Sequence, residues 1–187
     1  MEVTLDTAEA EELLRKQARW LSSQELAKAG AAALNRAGRA AQTQGSREVR
    51  KRLAMKARDV KARMKATRAT PGRQRYKIDF DYSPVPLAEY GRPRQTRRGV
   101  GVTIRRGKRV TMANTFISEK LGGQVLIRTM DTATGRRVGR GPVRRAYGPS
   151  IGSQLEAAKP AMDKRAEEVL DDRLRHEIRW RVERANR

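Results

Sequence analysis

Two carboxylates stand where a strand would set them side by side. In the stretch YKIDFDY, Tyr76, Ile78, Phe80 and Tyr82 alternate with Lys77, Asp79 and Asp81. Residues i and i+2 of a strand share a face and lie about 7 Å apart. Asp79 and Asp81 could therefore in principle hold a divalent metal, the chemistry of a metal-dependent nuclease. No histidine or third carboxylate lies near them in sequence, so the residues favour a charged, solvated strand face. His176 is the only histidine and falls between Arg175 and Glu177 on the charged side of a helix. A surface role is expected there, and no Ser-His-Asp set can be assembled around it. RRGVGVTIRRGK has the glycines and bases of a phosphate loop but lacks the Gly-Lys-Ser/Thr ending, and a hairpin explains its glycines. The chain has no cysteine, which removes disulfides and thiolate metal sites. No catalytic residue, metal site or cofactor is expected.

What the chain does carry in excess is positive charge. Its 187 residues have a formal net charge of +22, and the excess is patterned. Residues 31–75 hold fourteen basic and two acidic groups, whereas the first thirty hold four and six, and residues 155–187 hold nine and eight. A basic middle between balanced ends points to a polyanion, most often nucleic acid, or to an acidic protein surface. The residues that would make such contacts are Arg47, Arg50, Lys51, Arg52, Lys56, Arg58, Lys61 and Arg63 in a basic helical run, then Arg92, Arg94, Arg97 and Arg98, and then Arg136, Arg137, Arg144 and Arg145. Aromatic residues make up only 4% of the chain, so stacking on single-stranded bases is not expected to dominate. Phosphate contact without sequence reading is the form DNA binding would take. No apolar run approaches the roughly 20 residues of a membrane span, and the acidic start MEVTLDTAEAEELL is unlike a signal peptide. A protein made and used in a cytoplasm, or packed into a particle assembled there, is expected.

The elements that would position these residues form an α+β chain. A small antiparallel sheet is held between long N-terminal and C-terminal helices, with extended basic loops. One domain over 1–187 is expected, with 1–22 a possible N-terminal extension, 23–70 helical and basic, 76–130 sheet, 131–152 an extended loop and 153–187 a helix. Met1–Leu5 reads as a short strand or a disordered lead. Thr7 is a plausible N-cap, and Leu13, Leu14, Ala18 and Leu21 fall on one helix face. Leu26, Ala29, Ala33, Leu34, Ala37 and Ala41 make a narrow apolar stripe in which Gly30 and Gly38 would leave packing clearance. After Gln44-Gly45-Ser46, Ser46 is expected to cap a second, basic helix with a kink near Lys56–Arg58. Val100, Val102 and Ile104 alternate with Gly101, Thr103 and Arg105, and Arg106-Gly107-Lys108 turns the chain into Val110 and Met112, a hairpin signal. Leu121-Gly122-Gly123 reads as a second turn. The segment Arg92–Arg98 is expected to be a mobile loop that orders on DNA or a partner. Thr129–Gly141 is read as another flexible basic loop. Pro142–Ile151 is an extended lead-in to the last helix, with Ser150 or Ser153 as its cap. In that helix Ala158, Met162, Ala166, Leu170, Leu174, Ile178 and Val182 recur every four residues.

The order of these pieces resembles a known family. AALNRAGRAAQTQGSREVRKRL leads into MKARDVKARMKATRA, then PVPLAEYGRPRQTRRGVGVTIRRGKR, ANTFIS, RRAYGPSI and a charged C-terminal helix. This is similar to the prophage minor tail protein Z family, the tail-completion proteins of long-tailed bacteriophages. The likeness runs from about Leu26 to the C-terminus; RQTRRGVGV followed by ANTFIS, and YGPSI at Tyr147–Ile151, are its most specific parts. It implies a structural virion protein without enzymatic activity or cofactor, assembled in the bacterial host cytoplasm. It also implies a homo-oligomeric ring, with a hexamer expected from the tail's symmetry, at the head-proximal end of the tail or at the neck. The implied neighbours are the tail terminator, tail tube and head-connector proteins and the packaged DNA. The competing class is a non-sequence-specific nucleic-acid-binding accessory protein, supported by charge alone.

Overall fold

Ser23–Arg52 forms a thirty-residue helix, α1. Ser22 accepts a hydrogen bond from the Glu25 N–H at 3.3 Å, an N-cap contact. The helix buries Ala29, Ala33, Leu34, Ala37 and Ala41 almost completely, the stripe the sequence spacing predicts. It continues through Gln44-Gly45-Ser46, so Ser46 is a buried mid-helix residue and not a cap. Gly45 makes room for Met162: a Cβ there would lie 2.5 Å from its Sδ. Tertiary packing on this face overrides the local helix-breaking signal.

The computed structural model describes residues 2–5 as backbone, and residues 21–128 and 143–185. The expected cap Thr7 and the stripe residues Leu13, Leu14 and Ala18 lie outside the described residues. After α1 come helix α2 (Ala57–Ala62) and strand β2 (Met64–Thr67). The helical reading of 23–70 is thus corrected at its end. Met64–Thr67 pairs antiparallel with β3 (Tyr76–Phe80), Met64 opposite Phe80. The segment has one buried side chain and no apolar stripe to hold a helix, so pairing with an apolar strand decides its form. β1 (Glu2–Leu5) pairs with the other edge of β3, giving the order β1-β3-β2.

The chain divides into two compact units. The first holds residues 1–48, 61–81 and 154–187, and the second 49–60 and 82–153. In the first unit, the segment from Met64 to Tyr76 is tied to α1 by side-chain amides. Asn35 both donates to Ala69 O at 2.9 Å and accepts from Ala69 N at 3.0 Å, and Gln74 donates to Ala27 O at 2.7 Å. Tyr76, Ile78 and Phe80 face inward, as their alternation predicts. Helix α3 (Gly152–Ala185) buries Ala158, Met162, Ala166, Leu170, Leu174 and Ile178. Val182 is only half-buried. At the start of α3, Gly152 N donates to Ser150 Oγ at 3.1 Å, so Ser150, of the two serines, meets the helix terminus.

Tyr76 is 2% exposed and its hydroxyl donates to Gln42 Oε1 at 3.4 Å. Burial pushes its pKa up, partly opposed by Arg39 and Arg68. A phenol with a folded pKa above its unfolded value leaves stability untouched below about pH 10 and removes it as pH rises further. Melts followed by circular dichroism should therefore show stability falling above about pH 10, and falling less in Tyr76→Phe.

The second unit is built of short antiparallel sheets. β5 (Gly91–Thr96), β6 (Gly99–Arg105) and β7 (Lys108–Ala113) form one, in that order. β8 (Thr115–Ser118), β9 (Gln124–Arg128) and β10 (Val143–Arg145) form another, ordered β10-β9-β8. β4 (Val85–Pro86) pairs with β11 (Tyr147–Gly148). Both hairpin turns read from sequence are present: Gly107 has φ +77°, and Gly122 and Gly123 have φ +68° and +75°, values that favour glycine. At the first residue of β8, the buried Thr115 hydroxyl donates to Met112 O at 2.6 Å and accepts from Val100 N at 3.0 Å. Val85, Leu87, Tyr90, Val100, Val102, Val125 and Ile151 make the core, with Tyr90 donating to Pro149 O at 2.5 Å. The arrangement is α+β, with helices at both ends of the chain and small antiparallel sheets between.

Candidate functional site

The segment Arg92–Arg98, expected as a loop, is largely a strand. β5 pairs with β6, Arg94 opposite Gly101 and Thr96 opposite Gly99, with a bulge between Gly91 and Arg94. Proline is compatible with this place because β5 is an edge strand and Pro93 lies in the bulge. Arg92 has φ +35°, outside the usual range for a non-glycine residue, as an irregular edge that re-aims its side chain would require.

Register then decides which side chains share a face. Arg94 lies opposite Gly101, Gly101 opposite Thr111, and Thr103 opposite Arg109. Directly opposed residues point the same way, and residues two apart on one strand do too. Arg94, Gly101, Thr103, Arg109 and Thr111 therefore occupy one face. Val100 and Val102, fully buried, occupy the other. On the polar face β6 carries glycines at 99 and 101, so Arg94 and Arg109 flank a low strip two strand spacings wide, roughly 10 Å. Arg109 folds across this strip and donates to Gly101 O at 3.3 Å. A Cβ at Gly101 would stand 2.8 Å from Arg109 Nε, so the glycine makes room for the guanidinium.

The turns add further charge. Arg97 and Arg98 follow β5, and Arg105, Arg106 and Lys108 close the β6–β7 hairpin; all are exposed. None of Arg92, Arg94, Arg97, Arg98, Arg105, Arg106, Lys108 and Arg109 forms an ion pair with a described residue. Over the described residues the second unit holds seventeen Arg or Lys against three carboxylates, Asp59, Glu89 and Glu119. The first unit holds nineteen against thirteen. The unbalanced charge is thus concentrated on the β-rich unit.

The family comparison bears on what such a surface is for. The model of the family described as Prophage minor tail protein Z (GPZ) matches residues 11–185. The chain belongs to the prophage minor tail protein Z family. No curated protein and no solved structure gives a match. As a minor tail protein of this family, the chain is a structural component of a bacteriophage virion.

The structure sorts this tail protein's sequence-predicted cations into separate places. Arg92, Arg94, Arg97 and Arg98 belong to the exposed sheet just described. Arg50, Lys51, Arg52, Lys56 and Arg58 also lie in the second unit. There Arg50 is half-buried, and Arg58 meets Asp59 at 3.1 Å. Arg144 and Arg145 are exposed on β10, and Arg145 Nε donates to Gln124 Oε1 at 2.9 Å. Arg47, Lys61 and Arg63 fall in the first unit. Arg63 is spoken for structurally, with its Nη1 3.2 Å from Asp81 Oδ2. Arg136 and Arg137 lie outside the described residues. For Arg105, Arg106, Lys108 and Arg109 the signal is the hairpin register, which sets Arg109 beside Gly101.

Asp79 and Asp81 are each held by a cation of the first unit. Lys77 Nζ lies 3.0 Å from Asp79 Oδ1, and Arg63 takes Asp81. Among the described residues no group of three or more His, Cys, Asp or Glu side chains is placed to hold a metal ion. No described helix is long and apolar enough to cross a membrane.

Proposed function

We propose that this minor tail protein completes the head-proximal end of the tail as a ring of identical subunits around the DNA path, joining tail to head and doing no catalysis. The observation that carries this is the one-signed surface of the second unit, seventeen cations against three carboxylates, in a chain of a minor tail protein family. A strip of unpaired guanidinium groups suits a neighbour whose negative charge is repeated and whose sequence is irrelevant. Packaged DNA presents one phosphate per 3.4 Å per strand and is such a neighbour. Copies packed side by side form a closed ring when the rotation between them closes, and six is the count that fits a tail of sixfold symmetry. The tail terminator, tail tube and head connector are the protein neighbours on this reading.

Electron microscopy of particles from a phage lacking this gene tests it. Free heads beside free tails, or joined particles that fail to infect, are the expected result. Normal, infectious particles would overturn the reading. They would favour a nucleic-acid-binding accessory protein, whose support is the charge alone.

A further inference from the structure

A second cationic feature lies in the first unit. Helices α1 and α3 run antiparallel there. Gly45 packs on Met162, and at the other end Arg181 Nε lies 3.4 Å from Glu25 Oε2. Between these contacts an open groove of about 420 Å³ runs between the helices. Arg36, Arg39 and Arg47 line it from α1, and Arg165, Asp172 and Arg173 from α3, over a floor that includes Ala40 and Val169.

The two walls differ in how their charges are spent. On α3 the acids sit at helical spacing from the bases: Arg165 pairs with Glu168 at 2.9 Å and Arg175 with Asp171 at 3.1 Å. On α1 no acid stands three or four residues from Arg36, Arg39 or Arg47. These three guanidiniums, and Arg173 opposite, make no ion pair with a described residue. Lys61 reaches the same rim, its Nζ donating to Thr43 Oγ1 at 3.2 Å. The α1 wall is therefore a row of cations without a partner of its own.

We propose that this groove docks an acidic peptide segment of a partner protein, its carboxylates taken by Arg36, Arg39 and Arg47. Guanidinium forks match carboxylates two bonds at a time. A groove between helices with a partly apolar floor and charged rims is a common seat for a peptide segment. The charge of the α3 wall decides against a nucleic acid. Asp172 lines the groove, and Glu168 is paired with the lining Arg165, so a phosphate strand would meet carboxylates along the α3 wall. A peptide can turn its acids to α1 alone.

The test uses the full chain, a fluorescein-labelled glutamate-rich peptide and, separately, a labelled DNA duplex, read by fluorescence anisotropy. Neutralising Arg36→Gln, Arg39→Gln and Arg47→Gln together should weaken peptide binding about tenfold or more, as charge-assisted hydrogen bonds are lost. Neutralising Arg94→Gln, Arg97→Gln and Arg98→Gln removes the same charge from the sheet and should leave peptide binding within about twofold of wild type. Asp172→Asn removes the groove's own carboxylate and should tighten peptide binding, a gain that misfolding cannot mimic. Equal losses in the two triple variants would overturn the proposal in favour of net charge. So would a groove variant that loses the duplex and keeps the peptide, or an Asp172→Asn variant that binds peptide no better.

Discussion

Gly38→Ala destabilises the first unit by about 3 kcal/mol, although alanine is the better helix former by about 1 kcal/mol. The reversal comes from Tyr76. A Cβ built on Gly38 falls inside the contact distance of the ring atoms Cε1 and Cδ1 and lies 2.6 Å from Cγ. The obstacle is the body of a ring and cannot be turned aside like the end of a flexible chain. Tyr76 is itself fixed by β3 and buried, so relief requires moving strand and helix apart. Tyr76→Ala alone should cost about 3–5 kcal/mol through the cavity it leaves. In the double variant Gly38→Ala/Tyr76→Ala the new methyl enters that cavity. It then contributes its helix propensity, and the two effects should fall short of additivity by about 4 kcal/mol. Denaturant midpoints of the four proteins measure this directly. A neutral or stabilising Gly38→Ala would mean that α1 and β3 are not in the close contact described.

How much of this was legible in the sequence follows from the range of each interaction. Gly38 stands in an alanine-rich stripe, and a clearance role is the natural reading of a glycine there; which side chain needs the clearance is a tertiary fact. The strand at Tyr76–Phe80 and the turns at Gly107 and Gly122-Gly123 were readable because period-2 alternation and glycine turns are local signals. Helix α1 past Gly45 was not readable, since Gly-Ser is a local stop signal and Met162, which occupies the space, is more than a hundred residues away. Met64–Thr67 and Gly91–Thr96 carry no strand signal of their own in the sequence, for the same reason. Each is an edge with little burial of its own, held by pairing to a strand that carries the apolar pattern. The candidate surface divides likewise. Composition locates the cations, but only register brings Arg94 and Arg109 to one face. Only helix pairing gathers Arg36, Arg39 and Arg47 opposite Arg173.

Removing charge from the sheet gives the largest functional effect expected. If Arg94, Arg97 and Arg98 each neutralise one phosphate, their replacement by glutamine lowers the log–log salt dependence of duplex affinity by about 2.7, at 0.9 per contact. Affinities for the duplex across a salt series measure that slope. The fold should not register the change. The three side chains are exposed and form no ion pair with a described residue, and surface substitutions of this kind stay within about 0.5 kcal/mol. Reversing the same charges, to glutamate, should abolish or strongly reduce infectivity while the subunit still folds and enters particles. The two measurements separate the possible neighbours. Lost slope together with lost infectivity places phosphates against the sheet. An unchanged slope with lost infectivity assigns the sheet to an acidic protein face, and the chain's DNA contacts to other cations of the same unit. Unchanged slope with wild-type infectivity would leave these arginines without a contact role and remove the sheet from the joining of tail to head.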